Sequence, residues 1–141
     1  MIVTKEFLTA LSVFFALSVC SSCTTTVTKA KAPVFNTGTK VIQEDILRLT
    51  KCEHINVSGK EITTEGKSKS TVEISILNGQ SLPTDNNEIK ALGKSIAEEI
   101  KKSLKDPNEY EEYKVLFVTK KTDGSVTKSF SQGFDFRSQE L

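Results

Sequence analysis

The chain has 141 residues, a length typical of one domain, and its 26% charged and 37% hydrophobic residues fit a globular body. Its 19 Lys and Arg residues stand against 18 Asp and Glu residues, which gives a net charge of +1. Because nucleic-acid-binding domains usually carry a clustered basic excess, and membrane-binding patches a polybasic run, this balance argues against both kinds of electrostatic partner.

The first 22 residues have the pattern of a secretory signal peptide. A short polar start that carries Lys5 is followed by an apolar run from Phe7 to Val19. About a dozen apolar residues are too few for a hydrocarbon core, which needs roughly 20, but they suit the apolar region of a signal. A buried N-terminal helix is the alternative. The small polar residues and cysteine that follow favour the signal.

The end of this segment resembles the bacterial lipoprotein signal, in which two small residues precede the lipidated Cys. Cys23 follows Ser21 and Ser22, whereas Cys20 follows the larger Val19, so Cys23 is the better acceptor and Cys20 the alternative. The resemblance implies cleavage of residues 1–22 and attachment of diacylglycerol to the Cys thiol. Each buried methylene contributes about 0.8 kcal/mol, so two or more acyl chains make a lasting membrane anchor.

The same resemblance implies a place in the cell envelope. Thr24 follows the acceptor where Asp would mark retention in the inner membrane, so an outer-membrane location is expected where there are two membranes. If Cys23 is the anchor, Cys52 has no intramolecular partner. If Cys20 is the anchor, Cys23 and Cys52 could form a disulfide in an oxidising compartment. Cys52 is most simply interpreted as a partly buried small hydrophobe.

Residues 23–39 show no sustained helical or alternating period, and they predict a lipidated N-terminus followed by a flexible tether. Such a segment reaches at most about 50 Å when extended. The alternative is an N-terminal strand through Val34 and Phe35 that docks on the domain.

Residues 40–141 predict a single α+β domain. A first helix ends near Thr50. Alternating strands follow on either side of a turn at Gly66, and Asn78 and Gly79 end the second strand. The apolar positions that carry these elements are Val41, Ile42, Ile46, Leu47, Leu49, Ile55, Val57, Ile62, Val72, Ile74 and Ile76.

The second helix has the clearest signals. Asp85 and Glu88 make a capping box at its start, and Pro107 lies just beyond its end. One apolar stripe comprises Ile89, Leu92, Ile96, Ile100 and Leu104, accompanied by Gly93 and Ala97. This pattern predicts a helix that lies on a sheet.

The last two strands flank a hairpin turn at residues 122–125. The expected fold is therefore a small antiparallel four-stranded sheet with helices packed on one face, in the order α-β-β-α-β-β. The third strand is apolar on both sides, which indicates that the tether or first helix covers its back, or that a partner does. In the fourth strand, one buried face is expected to hold Val126, Phe130, Phe134 and Phe136.

The sequence predicts no catalytic, metal or cofactor site. The Gly-Lys-Ser runs at residues 66–68 and 93–95 lack the upstream glycine of a phosphate-binding loop. His54, the single histidine, has only Cys52 as a nearby potential ligand, whereas zinc sites need three or four.

These patterns favour a non-enzymatic binding or assembly module of the cell envelope, anchored to the membrane by lipid. An inhibitor or immunity protein against a toxin or lytic enzyme is the first alternative, and a small envelope hydrolase using His54 is the second. A protein partner in the envelope is expected, and no nucleic acid. The expected contact surfaces are the second sheet face and the loops 80–87 and 106–112. Tyr110 and Tyr113 are the candidate exposed aromatic contacts, and packing of both rings against the helix end is the alternative.

Overall fold

A computed structural model describes residues 24–141, so the signal segment with Cys20 and Cys23 lies outside the described residues. Along the described chain, a strand, a helix and two strands are followed by a second helix and two more strands. Short 3₁₀ turns at Pro107–Glu109 and Ser138–Glu140 add to these elements. The helices and strands are β1 (Thr26–Ala30), α1 (Thr39–Thr50), β2 (His54–Thr64), β3 (Lys67–Leu77), α2 (Asn86–Ser103), β4 (Glu112–Asp123) and β5 (Val126–Arg137).

The strands form one mixed five-stranded sheet in the order β1-β2-β3-β4-β5. Strands β3 and β4 are parallel, while the other neighbouring pairs are antiparallel. The prediction of a four-stranded antiparallel sheet is therefore wrong in both strand number and strand direction. The parallel pair arises because α2 connects β3 to β4 as a crossover, which returns the chain to the end of the sheet where β3 begins.

The fifth strand comes from the segment expected to be a flexible tether. β1 pairs with the second half of β2, with Thr26 opposite Thr64 and Ala30 opposite Lys60. Further along, Phe35 forms an isolated bridge with Leu104 at the end of α2. The tether expectation is thus replaced by a docked edge segment. This segment is rich in Thr and Val, which favour strands, and its backbone hydrogen-bonds to β2. Its sequence has no alternating pattern from which this strand could be predicted.

Both helices pack on one face of the sheet, and the core lies between these layers. Inward side chains of β3 and β4 meet the apolar stripe of α2, and Gly93 faces Phe117 and Phe136. A Cβ at Gly93 would lie 3.5 Å from Phe117 and 3.6 Å from Phe136. The fully buried positions include Ile46, Val72, Ile74, Ile76, Ile96, Ile100, Tyr113 and Val115.

At the start of α2, Asp85 is the N-cap as predicted, while the structure shows no returning hydrogen bond from the Asp85 N–H to the Glu88 side chain that would complete the capping box. Asp85 Oδ1 accepts hydrogen bonds from the backbone N–H groups of Asn87, at 2.8 Å, and Glu88, at 3.1 Å. Two donors that no helical carbonyl can reach are thereby satisfied. The helix also carries Lys101 and Lys102 in its last turn, where positive charge complements the helix dipole.

Candidate functional site

The N-terminal segment is held against the sheet by the side chain of Lys31. Its Nζ lies 3.4 Å from Glu109 Oε1, 3.3 Å from Ser70 Oγ and 5.2 Å from the centroid of the Tyr110 ring. It also donates to the Glu109 carbonyl at 3.2 Å. One cation therefore joins the N-terminal segment to β3 and to the 3₁₀ turn, and we call this set of contacts the Lys31 latch.

The backbone of Lys31 is also fixed. Its N–H donates to the Gly59 carbonyl at 2.8 Å, and its own carbonyl accepts a hydrogen bond from the Tyr110 hydroxyl at 2.9 Å. A Cβ at Gly59 would lie 2.1 Å from that carbonyl oxygen, closer than any real contact. The absence of a side chain at position 59 is thus what allows the N-terminal segment to cross β2 here.

Tyr110 and Tyr113 are buried, so their expected role as exposed aromatic contacts is wrong. Their exposed fractions are 1% and 0%. The Tyr113 hydroxyl donates to the Pro107 carbonyl at 3.4 Å. Burial raises the pKa of Tyr113 to about 12, with the neighbouring Tyr110 as a second cause and a hydrogen bond with Ser138 acting in the opposite direction. Burial also raises the pKa of Tyr110, followed in size by the charge of Glu109.

The sulfur and imidazole groups named by the sequence differ in accessibility. Cys52 is buried and belongs to the hydrophobic core, whereas His54 is exposed at the start of β2. A hydrolytic pair needs both groups at one accessible site. The arrangement therefore gives the hydrolase hypothesis no support. Within residues 24–141, no cluster of three or more His, Cys, Asp or Glu side chains is placed to hold a metal ion.

The second face of the sheet is polar and carries cross-strand ion pairs. Lys60 Nζ lies 3.3 Å from Glu73 Oε2, and Lys114 Nζ lies 3.8 Å from Asp135 Oδ1. Lys69 forms a further pair with Glu112 across β3 and β4. Because these charges already have partners on the same face, the face offers few unpaired groups to a ligand.

The apolar residues on the back of β4 are accommodated without a covering element. Leu116 is half-buried and leans over Gly133 of β5, where a Cβ would lie only 2.8 Å from Leu116 Cδ2. Val118 is also half-buried. The expected cover by the tether or α1 is therefore wrong, since β1 lies at the sheet edge and α1 packs with α2. The alternative, cover by a partner, stays a prediction.

The two expected contact loops are tied to the body of the domain. In loop 80–87, the N–H of Ser81 donates to the Thr50 carbonyl at 3.2 Å. In loop 106–112, Asp106 Oδ1 accepts from the N–H of Asn108 at 3.0 Å, and the N–H of Glu111 donates to the Ser70 carbonyl at 3.0 Å. Both loops expose charged or polar side chains.

Sequence reasoning missed a projecting hairpin, which we call the arm and define as residues 119–130. The pairing of β3 with β4 ends at Leu77 and Val118, while β4 and β5 stay paired as far as Asp123 and Val126. At about 3.3 Å per residue, the arm extends roughly 17 Å beyond the rest of the sheet. From Lys120 to Phe130, every residue is exposed.

The arm corrects the expected burial of β5. Phe136 is buried and Phe134 is partly buried against the core, as their spacing predicts. Phe130 and Val126 continue the same stripe but are 62% and 56% exposed, because the stripe runs past the region that the helices cover. The register counted from the turn at Gly124 shows which residues of β4 and β5 face each other, but not where the pairing of β4 with β3 ends.

Comparisons with known proteins give no family. No family model matches the chain, and no curated protein matches it. Within residues 24–141, neither helix is long and apolar enough to cross a bilayer. The crystal structure of the sex pheromone staph-cAM373 precursor is similar, with a TM-score of 0.46 and 13% identity over 82% of this chain and 41% of that one. The chain thus spans less than half the length of that protein, and a similarity of this size assigns neither family nor function.

Proposed function

We propose that the chain is a lipid-anchored protein of the cell envelope that acts as a non-enzymatic binding or assembly module. In this proposal Cys23 carries the lipid. The observation that supports the anchor is the apolar run that ends in Ser21, Ser22 and Cys23. In the structure, β1 begins shortly after this cysteine, at Thr26. Only Thr24 and Thr25 separate the acceptor cysteine from a strand that belongs to the sheet.

This short connection gives the anchor a mechanical role. Three residues span at most about 10 Å, so a lipid on Cys23 would hold the domain close to the bilayer surface. The Lys31 latch and the close contact of the Lys31 carbonyl with Gly59 hold the end of β1 against β2. The domain would then be held by its sheet and would not drift on a long tether.

With a lipid on Cys23, the same connection would place one end of the sheet nearest the bilayer. Thr24 Oγ1 donates to Glu65 Oε1 at 3.5 Å, and Thr26 pairs with Thr64, so Thr24 lies beside the β2–β3 turn. The arm lies at the opposite end, because β3 and β4 both run away from that turn. A binding surface on the arm would therefore be directed away from the bilayer.

Metabolic labelling with radioactive palmitate tests the anchor. We expect label in the wild-type protein and in Cys52→Ser, the matched control, and none in Cys23→Ser. Label retained in Cys23→Ser but lost in Cys20→Ser would move the anchor to Cys20 and add three residues to the connection. Absence of label from the wild-type protein would refute the lipid anchor.

A further inference from the structure

The arm places two lysines directly opposite each other. Lys121 of β4 pairs with Lys128 of β5, and both side chains are exposed. Like charges at directly opposed positions destabilise a strand pair. Among the ion pairs of residues 24–141, none involves Lys121, Lys128 or the neighbouring Lys120. Asp123 lies on the same face, opposite Val126, but forms no ion pair with either lysine. The fold therefore keeps two directly opposed lysines without an ion-pair partner at the end of the hairpin.

Apolar side chains flank this lysine pair on the same face. Val126, Lys128 and Phe130 alternate along β5, and alternate residues of a strand point to one side. Phe130 is 62% exposed and Val126 is 56% exposed. The face of the arm thus presents an apolar, a positive and an apolar position in succession.

The arm also has a free backbone edge. β5 is an edge strand of 12 residues, whereas β1 at the opposite edge has 5. An edge strand offers N–H and C=O groups that an added extended peptide can pair with, and side chains then supply specificity. Of the two edges, that of β5 is the longer, and it continues along the arm.

We propose that the arm binds an extended acidic segment of a protein partner. The segment adds to the free edge of β5 as a further strand. One of its carboxylates faces Lys121 and Lys128, and its apolar side chains pack against Val126 and Phe130. The inference rests on the proposed role as a binding module and names the chemistry of its partner. Charge complementarity decides the occupant, since this face of the arm has Lys121 and Lys128 against the single carboxylate of Asp123.

Two other occupants fit the arm less well. A second copy of the chain would bring its own Lys128 beside this one, and lysines on edge strands oppose such pairing. A bilayer offers anionic headgroups but cannot continue a ladder of backbone hydrogen bonds. The arm also lies at the end of the sheet remote from Thr24, so the bilayer that holds the N-terminus would be at the other end.

The test measures peptide binding to the purified full chain in detergent. The probe is a fluorescent synthetic peptide that repeats Val-Thr-Glu-Thr, which sets Val and Glu alternately on one strand face; the control peptide has Lys in place of Glu. We expect saturable binding of the acidic peptide by fluorescence anisotropy, with slower amide hydrogen exchange along β5. The control peptide should not bind.

Charge reversal supplies the matched variants. Lys121→Glu with Lys128→Glu should weaken binding of the acidic peptide by at least about tenfold, since two exposed attractions become repulsions. Lys90→Glu with Lys102→Glu, at exposed positions on α2, makes the same change in net charge and should leave binding intact. If the reversed arm does not fold, Lys121→Gln with Lys128→Gln should still weaken binding.

Several outcomes would overturn the proposal. The first is equal affinity of the arm variant and the α2 variant for the acidic peptide, and the second is equal binding of the acidic and control peptides. The third is binding of phosphatidylglycerol vesicles through the arm without binding of the peptide. Self-association lost in the arm variants would indicate a second copy instead. The assay does not depend on which cysteine carries lipid, so its failure would leave the palmitate result standing.

Discussion

At Gly59, the space normally taken by a side chain is occupied by the Lys31 carbonyl. We predict that Gly59→Ala lowers the free energy of unfolding by about 1–3 kcal/mol, the usual cost of forcing extra volume into a packed site. The expected local effect is release of β1, because the clash is with backbone that cannot rotate away. Denaturant unfolding and amide hydrogen exchange of Thr26–Ala30 measure the two effects.

The neighbouring Ser58→Ala is the control, because Ser58 is exposed and its side chain is not at the crossing. It should leave both the free energy of unfolding and the protection of β1 close to wild type. Unchanged protection of β1 in Gly59→Ala would contradict the role assigned to this glycine.

Tyr113 connects burial to stability at high pH. Its pKa is raised from the ordinary 10.0 to about 12, so the folded state holds the phenolic proton more tightly than the unfolded state does. The stabilisation is fully present below pH 10 and is lost as the pH rises through about 12. One such group changes the free energy of unfolding by at most about 1.4 kcal/mol per pH unit.

We therefore expect the free energy of unfolding to fall less steeply above pH 10 in Tyr113→Phe than in the wild-type protein. Lysines titrate in the same range, so the comparison is between the two slopes. Chemical unfolding followed by circular dichroism gives each slope, and ultraviolet absorbance follows tyrosinate formation. Identical slopes would mean that Tyr113 titrates alike in both states.

At the scale of single elements, α2 shows how far local signals reach. Its cap at Asp85, its apolar stripe and its end before Pro107 can all be read from neighbouring residues, because helix hydrogen bonds are local. Its position between β3 and β4 has no such local signature. Strand pairing depends on which segments compete for each edge, so the parallel pair and the addition of β1 were not predictable from periodicity.

The cap itself is testable. Asp85→Ala should destabilise the domain by about 1 kcal/mol, because two backbone N–H groups at the helix start lose their acceptor. Asp85→Asn should retain most of the stability, since its side-chain oxygen can still accept. Asn87→Ala, an exposed substitution in the same turn, is the matched control. Thermal unfolding of the four proteins compares them directly, and an equal effect at positions 85 and 87 would rule out the cap as the cause.

At the scale of the whole molecule, the two hairpin tips lie at opposite ends of the sheet. The path along β3 and then the arm is about 50 Å at about 3.3 Å per residue. With a lipid on Cys23, the β2–β3 tip would lie near the bilayer and the arm tip far from it. A fluorophore on Lys67→Cys should then be quenched by spin-labelled lipids, and one on Ser125→Cys should not.

The two labelled variants are matched, because both positions are exposed beside a tight turn. Replacement of the buried Cys52 by Ala in both avoids a second labelling site. Equal quenching at the two tips would show that the domain moves freely relative to the bilayer, and it would contradict the short connection through β1.

The lipoprotein pattern, the two helices and the two hairpin turns depend on residues close together in the chain, so the sequence alone determined the expectation of an anchor and most element positions. Tertiary structure decided that the supposed tether is an edge strand, that Tyr110 and Tyr113 are buried, and that half of the apolar stripe of β5 is exposed. Each of these features depends on which distant segment of the chain covers a residue. The pattern of apolar residues in the sequence does not predict which segment that is. The helices end before the arm begins, and this difference in length leaves Lys121, Lys128 and Phe130 open to a partner.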